Sequence, residues 1–236
     1  MAYGDRVIQE RLSFEIRKGE IFVVMGDSGC GKSTLMRHMT GLDRPVGGQV
    51  RYDGRAFWPG TDAERASVLR RLGILFQSGA LWSSMTIEEN VRLPLEEHAR
   101  LRPGEARAVA RFKLALVGLA GFEDHYPSEI SGGMKKRAGL ARAIALDPDV
   151  LYFDEPSAGL DPLSSRRLDD LILRLRDSLG ATVVLVTHEL ASITELGDHA
   201  VFLDAERKTM TAEGHPRDLA DSPDPKVRAF MQRGRL

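Results

Sequence analysis

The sequence predicts an α/β core with a mainly parallel sheet, interrupted by a long helical insertion. Short β-rich apolar runs recur at Ile21 to Met25, Gly73 to Phe76, Val150 to Phe153 and Thr182 to Thr187, with helix-like segments between them. From about residue 86 to residue 147 no strand-like run occurs. A glycine-rich segment, Gly26-Asp27-Ser28-Gly29-Cys30-Gly31-Lys32-Ser33-Thr34, sits between the first run and the helix after it. It matches the phosphate-binding pattern G-x-x-x-x-G-K-[ST], and strand, loop and helix come in the order that pattern needs.

The residue types explain the loop's chemistry. Glycines let backbone N–H groups turn inward around an anion. Lys32 supplies a point charge that reaches terminal phosphates, and Ser33 offers a hydroxyl to Mg²⁺. A helix from Thr34 to Thr40, closed by Gly41, points its positive end at the same place. Cys30 is the chain's one cysteine, so no internal disulfide exists. A small filler of the loop is its plainer reading, and a thiol activated by the helix N-terminus is the alternative.

In chain order, Leu12, Phe14 and Ile16 alternate with Ser13 and Glu15, which predicts a half-buried strand ended by Lys18-Gly19. Val50 and Tyr52 predict another short strand, closed by a turn at Asp53-Gly54. Asp62 to Arg71 reads as a charged-faced helix. The run at 73–76 ends at Gln77. The loop from Gln77 to Met85 holds Leu81 and Trp82 without periodicity, so these side chains either pack within the chain or form a partner surface. Thr86-Ile87-Glu88-Glu89 is a capping box that opens a helix, expected to break at Arg102-Pro103-Gly104. Glu105 to Val117 predicts a second helix, ended by Gly118.

Ser131-Gly132-Gly133-Met134 opens the next helix with a good N-cap. Two glycines in a first turn weaken a helix, a cost that makes sense if an anion approaches the backbone closely. Val150 to Phe153 ends in Asp154-Glu155. Adjacent carboxylates at a strand's C-terminal end suit a ligand edge: Asp154 holding Mg²⁺ through water, Glu155 polarising an attacking water. An exposed acidic turn before Pro156 is the plainer alternative. Asp161 lies in a turn-rich link before a helix from Ser164 to Leu179, capped by Gly180. His188 follows the run at 182–187, where it is either structural or beside a terminal phosphate. Val201 to Leu203 and Thr209 to Thr211 predict a closing hairpin, and Lys226 to Gln232 a last helix.

Composition narrows the function. The chain has 236 residues, a formal net charge of -1, 28% charged and 42% hydrophobic residues. These are ordinary globular values with no basic excess, so nothing points to nucleic acid. No run approaches the roughly 18 apolar residues of a membrane helix, and the N-terminus has no apolar signal-peptide core. A cytosolic protein is the expectation.

The P-loop, Gln77, Ser131-Gly132-Gly133, Asp154-Glu155, Asp161 and His188 occur in an order that resembles the Walker A, Q-loop, signature, Walker B, D-loop and H-switch motifs of ABC-transporter ATPases. The resemblance covers nearly the whole chain. It implies a single ABC ATP-binding domain over 1–236: a P-loop NTPase with a RecA-like core at about 1–77 and 148–236, a helical subdomain at about 78–147, and a small antiparallel β subdomain. It implies ATP and Mg²⁺ as ligands, the metal held by Ser33, Gln77 and Asp154, the last through water. It further implies two copies meeting head to tail around two ATP molecules, with Ser131, Gly132, Gly133 and Met134 contacting the partner chain's ATP. Tyr3 matches the aromatic that stacks on adenine, His188 the γ-phosphate contact, and Gln77 the link to a multi-span membrane permease.

A narrower resemblance rests on Phe76-Gln77-Ser78-Gly79-Ala80-Leu81, on Ser131 to Arg137 with Met134 in place of the commoner glutamine, and on Pro223-Asp224-Pro225-Lys226-Val227-Arg228. These segments are similar to those of MCE-associated (Mla-type) phospholipid-transport ATPases. That family implies an MCE-domain substrate-binding protein and a small STAS-type protein as further partners, and a peripheral position on the cytoplasmic face of the inner membrane. Two departures stand out. Only Met1-Ala2 precede Tyr3 where the family has a strand, so the natural reading frame is expected to begin upstream. The longer C-terminal extension of some Mla-type ATPases is also missing. The alternatives are an ABC importer or exporter for amino acids or lipoproteins, a soluble ABC protein acting on DNA or ribosomes, and a P-loop kinase. The last needs neither Ser131-Gly132-Gly133 nor the acidic pair, and soluble ABC proteins usually carry two ATPase domains or a long coiled-coil insertion.

Overall fold

The computed structural model describes residues 1–4 and 6–233, with only the backbone of Tyr3. The elements run β1 (Ala2–Tyr3), β2 (Arg6–Val7), β3 (Ile21–Gly26), α1 (Lys32–Met39), β4 (Arg51–Tyr52), β5 (Arg55–Ala56), α2 (Asp62–Leu69) and β6 (Leu72–Leu75). Then come α3 (Ile87–His98), α4 (Pro103–Leu116), α5 (Gly132–Ala143), β7 (Val150–Asp154) and α6 (Pro162–Leu179). The chain ends with β8 (Thr182–Val186), α7 (Leu190–Leu196), β9 (His199–Asp204), β10 (Thr209–Gly214), α8 (Pro216–Leu219) and α9 (Pro225–Gln232). It divides into two compact units, Met1–Leu69 with Thr182–Leu236, and Arg70–Ala181.

In the first unit the strands lie in the order β10-β9-β3-β8. β3 runs parallel to both neighbours, with Val23 opposite Leu185 on one side and Ala200 on the other. A strand paired on both edges and covered on both faces needs apolar side chains at every position, which is why 21–25 reads as a continuous run. All of β3 is buried, and each large side chain there contributes about 1.5–3 kcal/mol. The expected closing hairpin is β9–β10, antiparallel. The small antiparallel part appears as the two-residue ladders β1–β2 and β4–β5. Asp53 and Gly54 turn the second ladder with φ of 50 and 75°, the left-handed pair of a type I′ hairpin.

The strand expected at Leu12 to Ile16 does not form. Leu12, Phe14 and Ile16 are half-buried and Ser13 and Glu15 exposed, yet the segment joins no ladder. Phe14 lies flat on Phe22, ring centroids 5.1 Å apart. The alternation reported which side chains reach the core, and burial of that kind needs no strand partner.

The second unit holds the parallel pair β6–β7, with Leu75 opposite Phe153, and the helices α3, α4, α5 and α6. The capping box forms as expected: Thr86 Oγ1 accepts from Glu89 N, and Glu89 accepts from Thr86 N at 2.8 Å. α3 stops at His98, short of the expected break, and Pro103 opens α4 at its first position. Proline lacks only an N–H that a first turn leaves unbonded anyway, so it starts this helix more readily than it ends the one before.

Gly73 marks the tightest approach in this unit. A Cβ there would stand 2.2 Å from the Ala143 carbonyl oxygen and 2.8 Å from Leu151 Cδ2. Gly73→Ala is therefore expected to destabilise the protein by about 1–3 kcal/mol. Thermal unfolding checks this, and an unchanged midpoint would contradict so close a contact.

Candidate functional site

The first unit carries the phosphate loop. β3 ends at Gly26 with φ 146°, where a Cβ would meet Leu203 O at 2.5 Å and Cys30 Sγ at 2.8 Å. Gly29 and Gly31 have φ of 79 and 99°, so the loop needs its glycines for conformation as well as space. α1 begins at Lys32, two residues earlier than expected, with Gly31 as its N-cap. Lys32 is 7% exposed, and its ammonium donates to Gly26 O at 2.9 Å and Asp27 O at 3.2 Å. The loop thus holds a cation among inward-turned backbone, with Ser28, Gly29 and Ser33 exposed and Thr34 half-buried. A buried ammonium at the start of a helix, beside a loop of glycines, fits an anionic phosphate chain.

Cys30 is 1% exposed, and burial pushes its thiol up while the Lys32 charge acts in the opposite sense. A buried, protonated thiol packed over Gly26 is the filler reading. Buried Gln9 donates to Cys30 O at 2.7 Å and to Asp204 O at 3.0 Å, tying the loop to β9. Arg233, beyond α9, pairs with Asp27 at 2.9 Å. Neither brace was legible in the sequence, because one lone polar residue gives no periodic signal.

His188 lies at the same strand edge. Val24 is opposite Val186, and Thr187 N donates to Val24 O at 3.3 Å, so β8 releases His188 beside the start of the loop, exposed. Tyr3 contributes its backbone to β1, and its side chain lies outside what the structure describes.

The second unit carries the acidic pair and the glycine-rich helix start. Because Leu75 is opposite Phe153, Gln77 and Asp154-Glu155 follow the same end of β6 and β7. Asp154 and Glu155 are each 9% exposed, and Gln77 is exposed. Glu155 adopts φ 47°, a left-handed conformation that is costly for a residue with a side chain. The exposed acidic turn is therefore excluded.

Ser131 caps α5, its Oγ accepting from Met134 N at 3.2 Å. No atom lies within 4 Å of a Cβ built on Gly132. Packing within the chain does not require that glycine. Asp161 caps α6, accepting from Leu163 N at 3.1 Å and Ser164 N at 3.0 Å, and hydrogen bonds from Ser164 hold its carboxyl below the usual range. Ser131 to Gly133 and Gly159 to Asp161 line one groove of about 810 Å³.

In the loop after Gln77, Leu81 and Met85 are half-buried. Trp82 is 59% exposed. Fully buried Asn90 fixes the loop's backbone: its amide oxygen accepts from Trp82 N at 2.7 Å, and its nitrogen donates to Trp82 O at 3.1 Å and Met85 O at 3.2 Å. Arg142 of α5 donates to Gly79 O at 3.0 Å and Ala80 O at 2.8 Å.

Residues 9–158 match the family model of the ABC transporter. The chain belongs to the ABC transporter family. Its fold is that of the family's ATP-binding cassette, an ATPase. It is 41% identical over 229 residues to an intermembrane phospholipid transport system ATP-binding protein MlaF of Haemophilus influenzae, covering 97% of this chain and 86% of that one. The MlaF of Escherichia coli K12 is also 41% identical, over 97% of this chain and 84% of its own length. Among solved structures, the dimeric post-hydrolysis cassette MJ0796 bound to ADP and Pi superposes with a TM-score of 0.80 at 31% identity, covering 88% of this chain and 90% of that one.

Removing the loop's cation tests this assignment. Lys32→Ala is expected to weaken ATP binding by about 10- to 100-fold, the loss of a charged hydrogen-bond donor in a partly dry site, and to stop turnover. Titration with a fluorescent ATP analogue and phosphate release measure both. Unchanged binding and turnover would contradict the role of Lys32.

Proposed function

We propose that this chain is the ATP-hydrolysing subunit of a transporter that moves phospholipid between envelope membranes. The observation that carries the substrate class is 41% identity over 97% of the chain to proteins named for intermembrane phospholipid transport. Met134 inside the signature segment points the same way. A protein named as a probable ribonucleotide transport ATP-binding protein, from Mycobacterium bovis, is 39% identical, but this chain covers 65% of its length. That relative does not favour another substrate over phospholipid.

In this reading the loop 26–34 holds the triphosphate, with Lys32 offsetting its charge. Ser33, Gln77 and Asp154, the last through water, would hold Mg²⁺, which would supply positive charge against the phosphates. Glu155 takes a proton from the attacking water, and His188 contacts the γ-phosphate. Tyr3 stacks on adenine. Ser131, Gly132, Gly133 and Met134 meet the ATP of a second copy, with Asp161 beside them. Exposed Trp82, on the loop that Asn90 holds, meets a multi-span permease, and movement after Gln77 passes to that partner. An MCE-domain substrate-binding protein and a small STAS-type protein complete the assembly, without nucleic acid. The proposed position is the cytoplasmic face of the inner membrane, reached through the permease; among the described residues no helix is long and apolar enough to cross a membrane. A core at about 1–77 and 148–236 and a helical subdomain at about 78–147 remain the proposed division of labour. Isolating the native complex and analysing its bound lipid tests the proposal: co-purifying phospholipid is expected, and another cargo would overturn the substrate class.

Glu155→Gln is expected to keep ATP binding and lose hydrolysis by about 10²- to 10⁴-fold, the range of a general base. Phosphate release under single turnover measures it, and a normal rate would move the base elsewhere. Trp82→Ala is expected to leave the isolated protein's melting temperature and ATP affinity nearly unchanged, while weakening permease assembly by about 2 kcal/mol or more. A large fall in melting temperature with normal assembly would make Trp82 a packing residue.

A further inference from the structure

Behind Glu155 stands a buried ammonium for which the catalytic scheme has no use. Lys136 is 7% exposed, and its Nζ donates to Pro156 O at 2.7 Å and to Ala158 O. Both carbonyls belong to the turn that directly follows Glu155. The turn closes through Ala158 N, which donates to Glu155 O at 3.1 Å, and through Leu160 N, which donates to Ser157 O at 3.0 Å. Ser157 is 1% exposed, so this backbone is largely dry. Burying a lysine costs rotamer entropy and desolvation. An ammonium on a long stem is nevertheless well suited to bind two carbonyls at once, since it has three donors and no acceptor.

The place of that cation gives it a task. Glu155 sits at φ 47°, a conformation that a residue with a side chain keeps only when its surroundings enforce it. The backbone immediately C-terminal to it is fastened by Lys136. Lys136 in turn lies on α5, whose first residues are Gly132 and Gly133. One rigid helix therefore joins the glycine-rich segment to the turn that sets Glu155.

We infer that Lys136 is a positioning residue for Glu155: its ammonium clasps the turn at 156–158, holds Glu155 in its left-handed conformation, and so fixes where the carboxylate stands relative to the attacking water. Contact of a ligand with the start of α5 reaches Glu155 through the same clasp. The inference rests on Glu155 being the general base.

Steady-state and single-turnover hydrolysis by the full chain test it. Lys136→Met is expected to lower kcat by about 10- to 100-fold, the effect of a small misplacement of a reacting group. KM for ATP and the affinity for a fluorescent ATP analogue should stay within about twofold, because the two carbonyls that the ammonium holds follow Glu155 and do not belong to residues 26–34. Lys136→Arg should recover part of the kcat that Lys136→Met loses, since its guanidinium also carries only donors for the two carbonyls. Adding Lys136→Met to Glu155→Gln should slow the reaction no further, because a residue acting through the base has nothing left to position. If Lys136→Met does not fold, Lys136→Gln carries the same expectations. Normal kcat in the Lys136 variant beside a disabled Glu155→Gln overturns the inference alone, as does a further fall in the double variant. Normal hydrolysis by Glu155→Gln removes the general-base reading, and the inference with it.

Discussion

A fully buried parallel strand that must hand its chain to an anion constrains everything around the phosphate loop. β3 is closed in by β8 and β9 and has no solvent face. The chain leaves it through Gly26, hemmed in by Leu203 O and Cys30 Sγ, where no side chain fits. The loop is then braced by Gln9 on its inner side and by Arg233 at Asp27. Such bracing matters because catalysis by fixed dipoles works when the donors are already aimed and need not reorganise.

The second unit solves a similar problem without glycine. β7 is followed directly by a left-handed residue, and this one, Glu155, carries a side chain. The strain is offset from α5. That helix reaches the turn after Glu155 through Lys136 and the segment after Gln77 through Arg142. Gly139 lets the contact with Gly79 close: a Cβ there would stand 3.0 Å from Gly79 O and 2.9 Å from Leu75 Cδ1. The glycine-rich helix start, the acidic pair and the loop bearing Trp82 are thus fastened to one rigid element, an arrangement suited to passing a discrete shift between them.

Much of this was legible in the sequence, for identifiable reasons. Buried strands such as 21–25 and 182–187 announce themselves because both faces must be apolar. Caps at Thr86, Ser131 and Gly180 are written in local chemistry, and all three appear where expected. The phosphate loop and the acidic pair are contiguous patterns that follow such runs directly, which is why they could be placed at strand ends. Periodicity failed at Leu12 to Ile16, where it recorded burial and not pairing. It said nothing of Gln9, Asn90, Lys136 or Arg142, whose side chains each bond more than one backbone group outside any repeating pattern. A lysine two residues after Met134 looks like surface charge until its depth is known.

The head-to-tail pairing of two copies around ATP is the claim on which the functional account turns, and sedimentation of Glu155→Gln with Mg·ATP tests it most directly. The account predicts a species of twice the 26.1 kDa chain with ATP, and a single chain with ADP. It also predicts that adding Ser131→Arg leaves nucleotide bound but keeps the chain single, because that substitution crowds the helix start that faces the partner's phosphates. A single chain at saturating ATP, or a pair that forms regardless of Ser131→Arg, would contradict it.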